Sequence, residues 1–123
     1  RERQRGIAPG RLVLAGFSQG GAMALHVGLR HRERLAGVLA LSCYLPLAAT
    51  LATEASAVNR DVPIFWAHGV HDPMIPLAMA EHGREQVAAL GYPIEWHQYP
   101  MPHSVSAEEI ADIARWLGRV LGS

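Results

Sequence analysis

Three residues of this chain have the types needed for a nucleophile, a base and an acid, and each follows an expected strand. Ser18 stands in Gly16-Phe17-Ser18-Gln19-Gly20, a G-x-S-x-G pentapeptide. Asp72 lies in the turn Gly69–Pro73, after VPIFWAH at Val62–His68. His103 lies in the loop Pro100–Ser104, after IEWHQY at Ile94–Tyr99. A serine hydroxyl is a weak nucleophile until a base takes its proton. A neutral imidazole can do that near pH 7 and later hand the proton to a leaving group. A carboxylate holds the imidazole in the right tautomer and stabilises its charged form. The pentapeptide suits a sharp strand-to-helix turn that strains the serine backbone. Gly16 and Gly20 are expected to give that turn room, having no Cβ.

Other residues of the same types are weaker candidates. Asp61 precedes a strand and so belongs to the wrong sheet edge. His26, His31 and His82 fall on expected helices, and His97 falls inside a strand. His71 is expected to be solvated. His68 ends a strand, where it can support the acid turn by packing or a hydrogen bond. The seven histidines include no pair at zinc-protease spacing and no accompanying cysteine pair, so no metal site is expected. Cys43, the one cysteine, reads as a small buried hydrophobe. Gly20-Gly21 before a helix could cradle a phosphate, but no dinucleotide or P-loop glycine pattern accompanies it.

The elements that would carry the three residues alternate. Strands are expected at Arg11–Phe17, apolar on both faces, at Ala36–Ser42, a continuous apolar run, and at Val62–His68 and Ile94–Tyr99. Gln19 to about His31 reads as a helix, with Met23, Val27, Ala22, Leu25 and Leu29 on its apolar face. A short helix is expected within Leu51–Val58. Another runs from Pro76 to about Leu90 and is ended by Gly91. Ser106 and Glu109 form an S-x-x-E capping box. They open a last helix with Ile110, Ile113, Ala114, Leu117 and Leu121 on one stripe. Trp66, Trp96 and Trp116 are expected in the core. Such alternation predicts an α/β fold, a parallel sheet of about four strands flanked by helices and joined by right-handed crossovers. Reactive residues of such sheets collect beyond the carboxyl ends of the strands. Ser18, Asp72 and His103 all fall there.

Bulk properties set limits. At 123 residues the chain is one domain or part of one. Eleven basic and eleven acidic residues leave no net charge, so no global field draws nucleic acid or an anionic membrane. No run is long and apolar enough to span a bilayer. A single cysteine fits a reducing compartment, so the expected location is cytoplasmic. Arg1–Arg5 reads as a solvated tail or the end of a helix, and Gly6–Gly10 as a break.

GFSQGGAMAL, LSCYLPL, HGVHDPMIP and MPHSV together resemble the matching segments of bacterial carboxylesterases of the phospholipase/carboxylesterase group, to which acyl-protein thioesterases are close relatives. The resemblance covers essentially the whole chain. It implies the α/β-hydrolase fold, with triad order Ser18, Asp72, His103. It also implies that Gln19 supplies an oxyanion N–H and that Leu45, Pro46, Met74 and Ile75 line the acyl pocket. The implied activity is hydrolysis of a small-molecule carboxylic ester, or of a thioester or lysophospholipid, with no cofactor. The chain departs from that group in lacking an N-terminal half, so residues 1–123 are expected to form a partial domain, the C-terminal portion of the fold. The Arg11–Phe17 strand would then have an open edge, suited to a homodimer or to pairing with another chain. The competing expectation is a weakly active or inactive fragment that needs a partner chain or the missing half.

Overall fold

Strands with few charged residues are built to be covered on both faces. In the computed structural model, which describes residues 12–122, four strands form: β1 (Val13–Phe17), β2 (Gly37–Leu41), β3 (Ile64–Gly69) and β4 (Ile94–Tyr99). All pairings are parallel, and spatial order follows chain order. The last strand has the expected bounds; the others differ by one or two residues at an end. Arg11, the tail Arg1–Arg5 and the Gly6–Gly10 break lie outside the described residues.

The helices are α1 (Gln19–Arg30), α2 (Ala48–Glu54), α3 (Leu77–Ala89) and α4 (Ala107–Val120), with a single 3-10 turn at Ala57–Asn59. The short helix thus starts and ends earlier than Leu51–Val58. Pro76 stands just before α3, where its carbonyl accepts from Met79 N–H. Gly91, at φ 96°, ends that helix in the left-handed conformation that suits glycine. Ser106 Oγ accepts from Glu109 N–H at 3.1 Å, the first half of the capping box.

Two layers cover the sheet. On one face Leu25 and Leu29 of α1, Leu51 of α2 and Val87 of α3 pack on Val38, Ile64 and Trp66. On the other, Trp116 of α4 packs with Leu39, Leu41, Phe65, Ala67 and Tyr99. Cys43 is buried, and burial pushes its thiol up to about 12. Trp66 and Trp116 are buried as expected, while Trp96 is half-buried with the Arg84 guanidinium 4.6 Å above its ring. Among the described residues no helix is long and apolar enough to cross a membrane.

Two helix faces differ from the expectation. Met23 and Val27 are 57% and 42% exposed, and α1 buries Gly21, Ala22, Ala24, Leu25, Gly28 and Leu29 instead. The reason is close approach. A Cβ at Gly28 would meet Val38 Cγ2 at 2.7 Å, so small residues mark the buried side and large ones face out. In α4, Ile110 is exposed and Glu109 is buried. Glu109, Ile113, Trp116 and Val120 recur at helical spacing on the sheet side, and residue 110 is one position round from that stripe.

Candidate active site

β1 ends in Phe17, and Ser18 turns the chain at φ 58° and ψ −121°, outside the ordinary regions for a residue with a side chain. The turn is anchored by Ser18 N–H donating to Leu41 O at 2.8 Å. A Cβ on Gly16 would lie 2.1 Å from the Gly20 backbone, so strand and helix touch there. The second tight glycine is Gly21, not Gly20. A Cβ on Gly21 would meet Gly16 O at 2.9 Å and Cys43 at 3.0 Å, whereas Gly20 has open space within 4 Å among the described residues. Ser18 therefore sits at the start of α1, where the first N–H groups lack intrahelical acceptors. Gln19 is the first residue of that helix and is exposed.

Asp72 is built by its own turn. Its Oδ1 accepts from Met74 N–H at 2.8 Å and from Ile75 N–H at 2.9 Å. Its Oδ2 faces His103. Burial pushes this carboxyl up, but the Ile75 N–H, His103 and the Met74 N–H more than offset that and hold it below the usual aspartate range. His68 clamps the same turn from below, as the sequence suggested. Its fully buried ring donates from Nε2 to Ile75 O at 2.7 Å and lies 3.6 Å from Asp72 Oδ2. A carbonyl only accepts, so Nε2 carries the proton.

His103 reaches the other two from the loop after β4. Its Nδ1 is 2.6 Å from Asp72 Oδ2 and its Nε2 is 2.9 Å from Ser18 Oγ. An ionised carboxylate only accepts, so Nδ1 bears the hydrogen and Nε2 is left as a lone pair facing the Ser18 hydroxyl. Gly69 makes this reach possible. A Cβ there would lie 2.3 Å from Met101 O and 2.4 Å from Pro102 O, so the loop crosses directly over the end of β3. Val70 N–H to Tyr99 O and His71 N–H to Met101 O hold it down. The sequence signal for Gly69 is a glycine placed directly after an apolar strand.

The four expected pocket residues divide. Met74 and Ile75 supply backbone donors to Asp72, with Met74's side chain 70% exposed. Leu45 packs into the core beside Gly83, and Pro46 is half-buried next to it. The clefts of about 160 and 480 Å³, lined by residues such as Tyr92 and Trp96, lie elsewhere and include none of the four. Two of the rival residues have partners of their own. Asp61 pairs with Arg34, and His97 pairs with Glu95.

Comparison with known proteins fits this geometry. A model of the phospholipase/carboxylesterase family matches residues 1–121. The chain belongs to that family. It is 40% identical to acyl-protein thioesterase 1 of Gibberella zeae over 123 residues, 98% of this chain and 52% of that protein. It is also 40% identical to acyl-protein thioesterase 1 of Mycosarcoma maydis, across 90% of this chain and 48% of that protein. These relatives are fungal, so they do not bear on the bacterial side of the motif resemblance. Among solved structures, Arabidopsis thaliana SOBER1 superposes with a TM-score of 0.92 at 28% identity, covering 98% of this chain and 58% of that one. Esterase PE8 gives 0.89, also at 28% identity, covering 97% and 54%. Four parallel strands with flanking helices are thus an α/β-hydrolase fold. The chain spans about half the length of the curated relatives it matches.

Proposed function

We propose that this chain carries the nucleophile, base and acid of a serine hydrolase that cleaves carboxylic esters or thioesters. The observation that supports it is the unbroken relay from Ser18 Oγ to His103 Nε2 at 2.9 Å and from His103 Nδ1 to Asp72 Oδ2 at 2.6 Å. Ser18 Oγ bonds to the acyl carbon while its proton passes to His103 Nε2 and the carbonyl π pair moves onto oxygen. When that pair returns, the bond to the alcohol or thiol breaks, and the leaving group takes the proton from Nε2. Water then attacks the acyl-enzyme by the same route, which releases the acid and restores the Ser18 hydroxyl. The Gln19 N–H, at the start of α1, is suited to the developing oxyanion. Pro46, Met74 and Ile75 border the acyl group, with Leu45 behind them. The names of the fungal relatives favour thioester substrates; small carboxylic esters are the simpler alternative. The setting fits the cytoplasm, with one buried cysteine.

A second reading rests on β1. Its outer edge has no partner strand among the described residues, and the chain matches about half of each relative. On that reading residues 1–123 are part of a hydrolase domain. Full activity then needs further strands or a partner copy beside β1, and a second oxyanion donor, whose loss costs about 10²–10³ in rate. Incubating the chain with p-nitrophenyl acetate, p-nitrophenyl butyrate and an acyl thioester, beside Ser18→Ala, tests both. Turnover abolished by the substitution supports the hydrolase; measurable turnover that is equal in the two proteins overturns it. Ser18-dependent turnover that rises steeply with protein concentration supports the need for a partner copy.

A further inference from the structure

The geometry points to Phe17 as a positioning residue that holds His103 in place and stabilises it when it carries the extra proton. The inference rests on the hydrolase reading above. Phe17 directly precedes Ser18, and strand alternation sends its side chain to the same side of β1 as Val13, the α4 side. The His103 loop arrives on that side as well, since Tyr99 and Met101 belong to the α4-side core. The Phe17 and His103 rings meet with centroids 4.8 Å apart and planes tilted by 46°. Phe17 is 37% exposed, so its ring is not held in the core, and His103 is its ring partner among the described residues.

A phenyl face carries partial negative charge and attracts a cation within about 6 Å of its centroid. It does little for a neutral imidazole. The contact therefore strengthens when Ser18's proton moves to Nε2 and the ring becomes an imidazolium. That is a gain in the charged state relative to the resting one, the kind that raises kcat. The tight elbow fixes Phe17 relative to Ser18, so one turn sets both the nucleophile and the ring beside which its base lies.

Replacing Phe17 alone by mono-, di- and trifluorophenylalanine leaves the ring's shape nearly intact and progressively empties its face of charge. The expected result is a graded fall in kcat, reaching about two- to fivefold, with KM unchanged. Phe17→Leu should fall to the same floor, and the His103 ring protons should lose their ring-current displacement in its NMR spectrum. A flat kcat across the fluorinated series overturns the electrostatic role, because shape alone would then suffice. His103 proton shifts that do not move in Phe17→Leu overturn the contact itself. Turnover equal to that of Ser18→Ala removes the hydrolase reading and this role with it, while the NMR shifts still report the contact separately.

Discussion

Among the described residues, the two outer strands of the sheet are built differently, yet each delivers one end of the relay. β1, VLAGF, has no polar side chain, and Ala15 and Phe17 are exposed. β4, IEWHQY, is composed as an edge. Glu95 pairs with Arg119 of α4 and with His97, whose ring stacks on Phe65 and Tyr99 at 4.9 and 5.9 Å. Charges on an edge discourage pairing with other chains, and an apolar edge invites it. Three strand spacings separate β1 from β4, roughly 14 Å, yet Ser18 and His103, 85 residues apart, meet at 2.9 Å. The β1 end supplies its serine through a turn with no slack. The β4 end supplies its histidine by a long reach over β3. The site is therefore vulnerable to steric error at the elbow and to displacement at the loop.

Each vulnerability can be tested with one methyl group. At the elbow, Gly16→Ala sets a Cβ 2.1 Å from backbone that no rotamer change can move. It should destabilise the fold by about 3 kcal/mol or more, read as a lower urea midpoint at unchanged slope. At the loop, Gly69→Ala meets two carbonyl oxygens on a segment that can shift outward. The fold should survive, but His103 moves by about an ångström and kcat/KM falls about 10²-fold. An unchanged rate there, or an unchanged urea midpoint in Gly16→Ala, would show that the two ends do not differ in this way.

Much of this arrangement was legible in the sequence, and the parts that were not share a physical cause. The alternation of strands and helices, the elbow and the placement of the three residues at one sheet edge follow from strand-like runs separated by turn residues. Gly69 and Gly21 escaped because a close approach depends on what crosses the glycine, and that segment lies far off in sequence. Met23 and Val27 misled because hydrophobicity marks a buried face only where there is room for large side chains. Glu109 fits a capping pattern, while helical spacing sets its carboxylate inside. Of the residues that the resemblance implies for an acyl pocket, Leu45 packs against the core instead of standing open.

Glu109 gives the next effect in size. It is fully buried on the β4 side of the molecule. Burial raises its carboxyl to about 7, with the Ser106 N–H pulling the other way. The unfolded chain loses this proton near pH 4.5 and the folded one near 7, so the folded state holds more protons between those values. Stability should then fall as pH rises across that window and level off above it. Glu109→Gln cannot ionise. It should raise stability by about 1–3 kcal/mol at pH 8 and leave it unchanged at pH 4, measured by thermal unfolding at both. A gain at pH 4 as large as at pH 8 would refute burial of a titrating carboxyl as the cause.

The smallest effects bear most directly on the edges. Ala15→Lys places a charge on the exposed side of β1, and Gln98→Lys places one on β4. Neither residue is buried, so each should change the stability of the chain by less than about 0.5 kcal/mol. Their effect on association should differ. An apolar edge is an open template, and one inward or edge lysine is enough to discourage pairing. Ala15→Lys should therefore shift any concentration-dependent association seen by sedimentation toward monomer, while Gln98→Lys leaves it as it was. Equal effects from the two would mean that association does not run through β1. A loss of several kcal/mol in Ala15→Lys alone would mean that this side of the strand is already covered in the folded chain, because only a buried lysine costs that much.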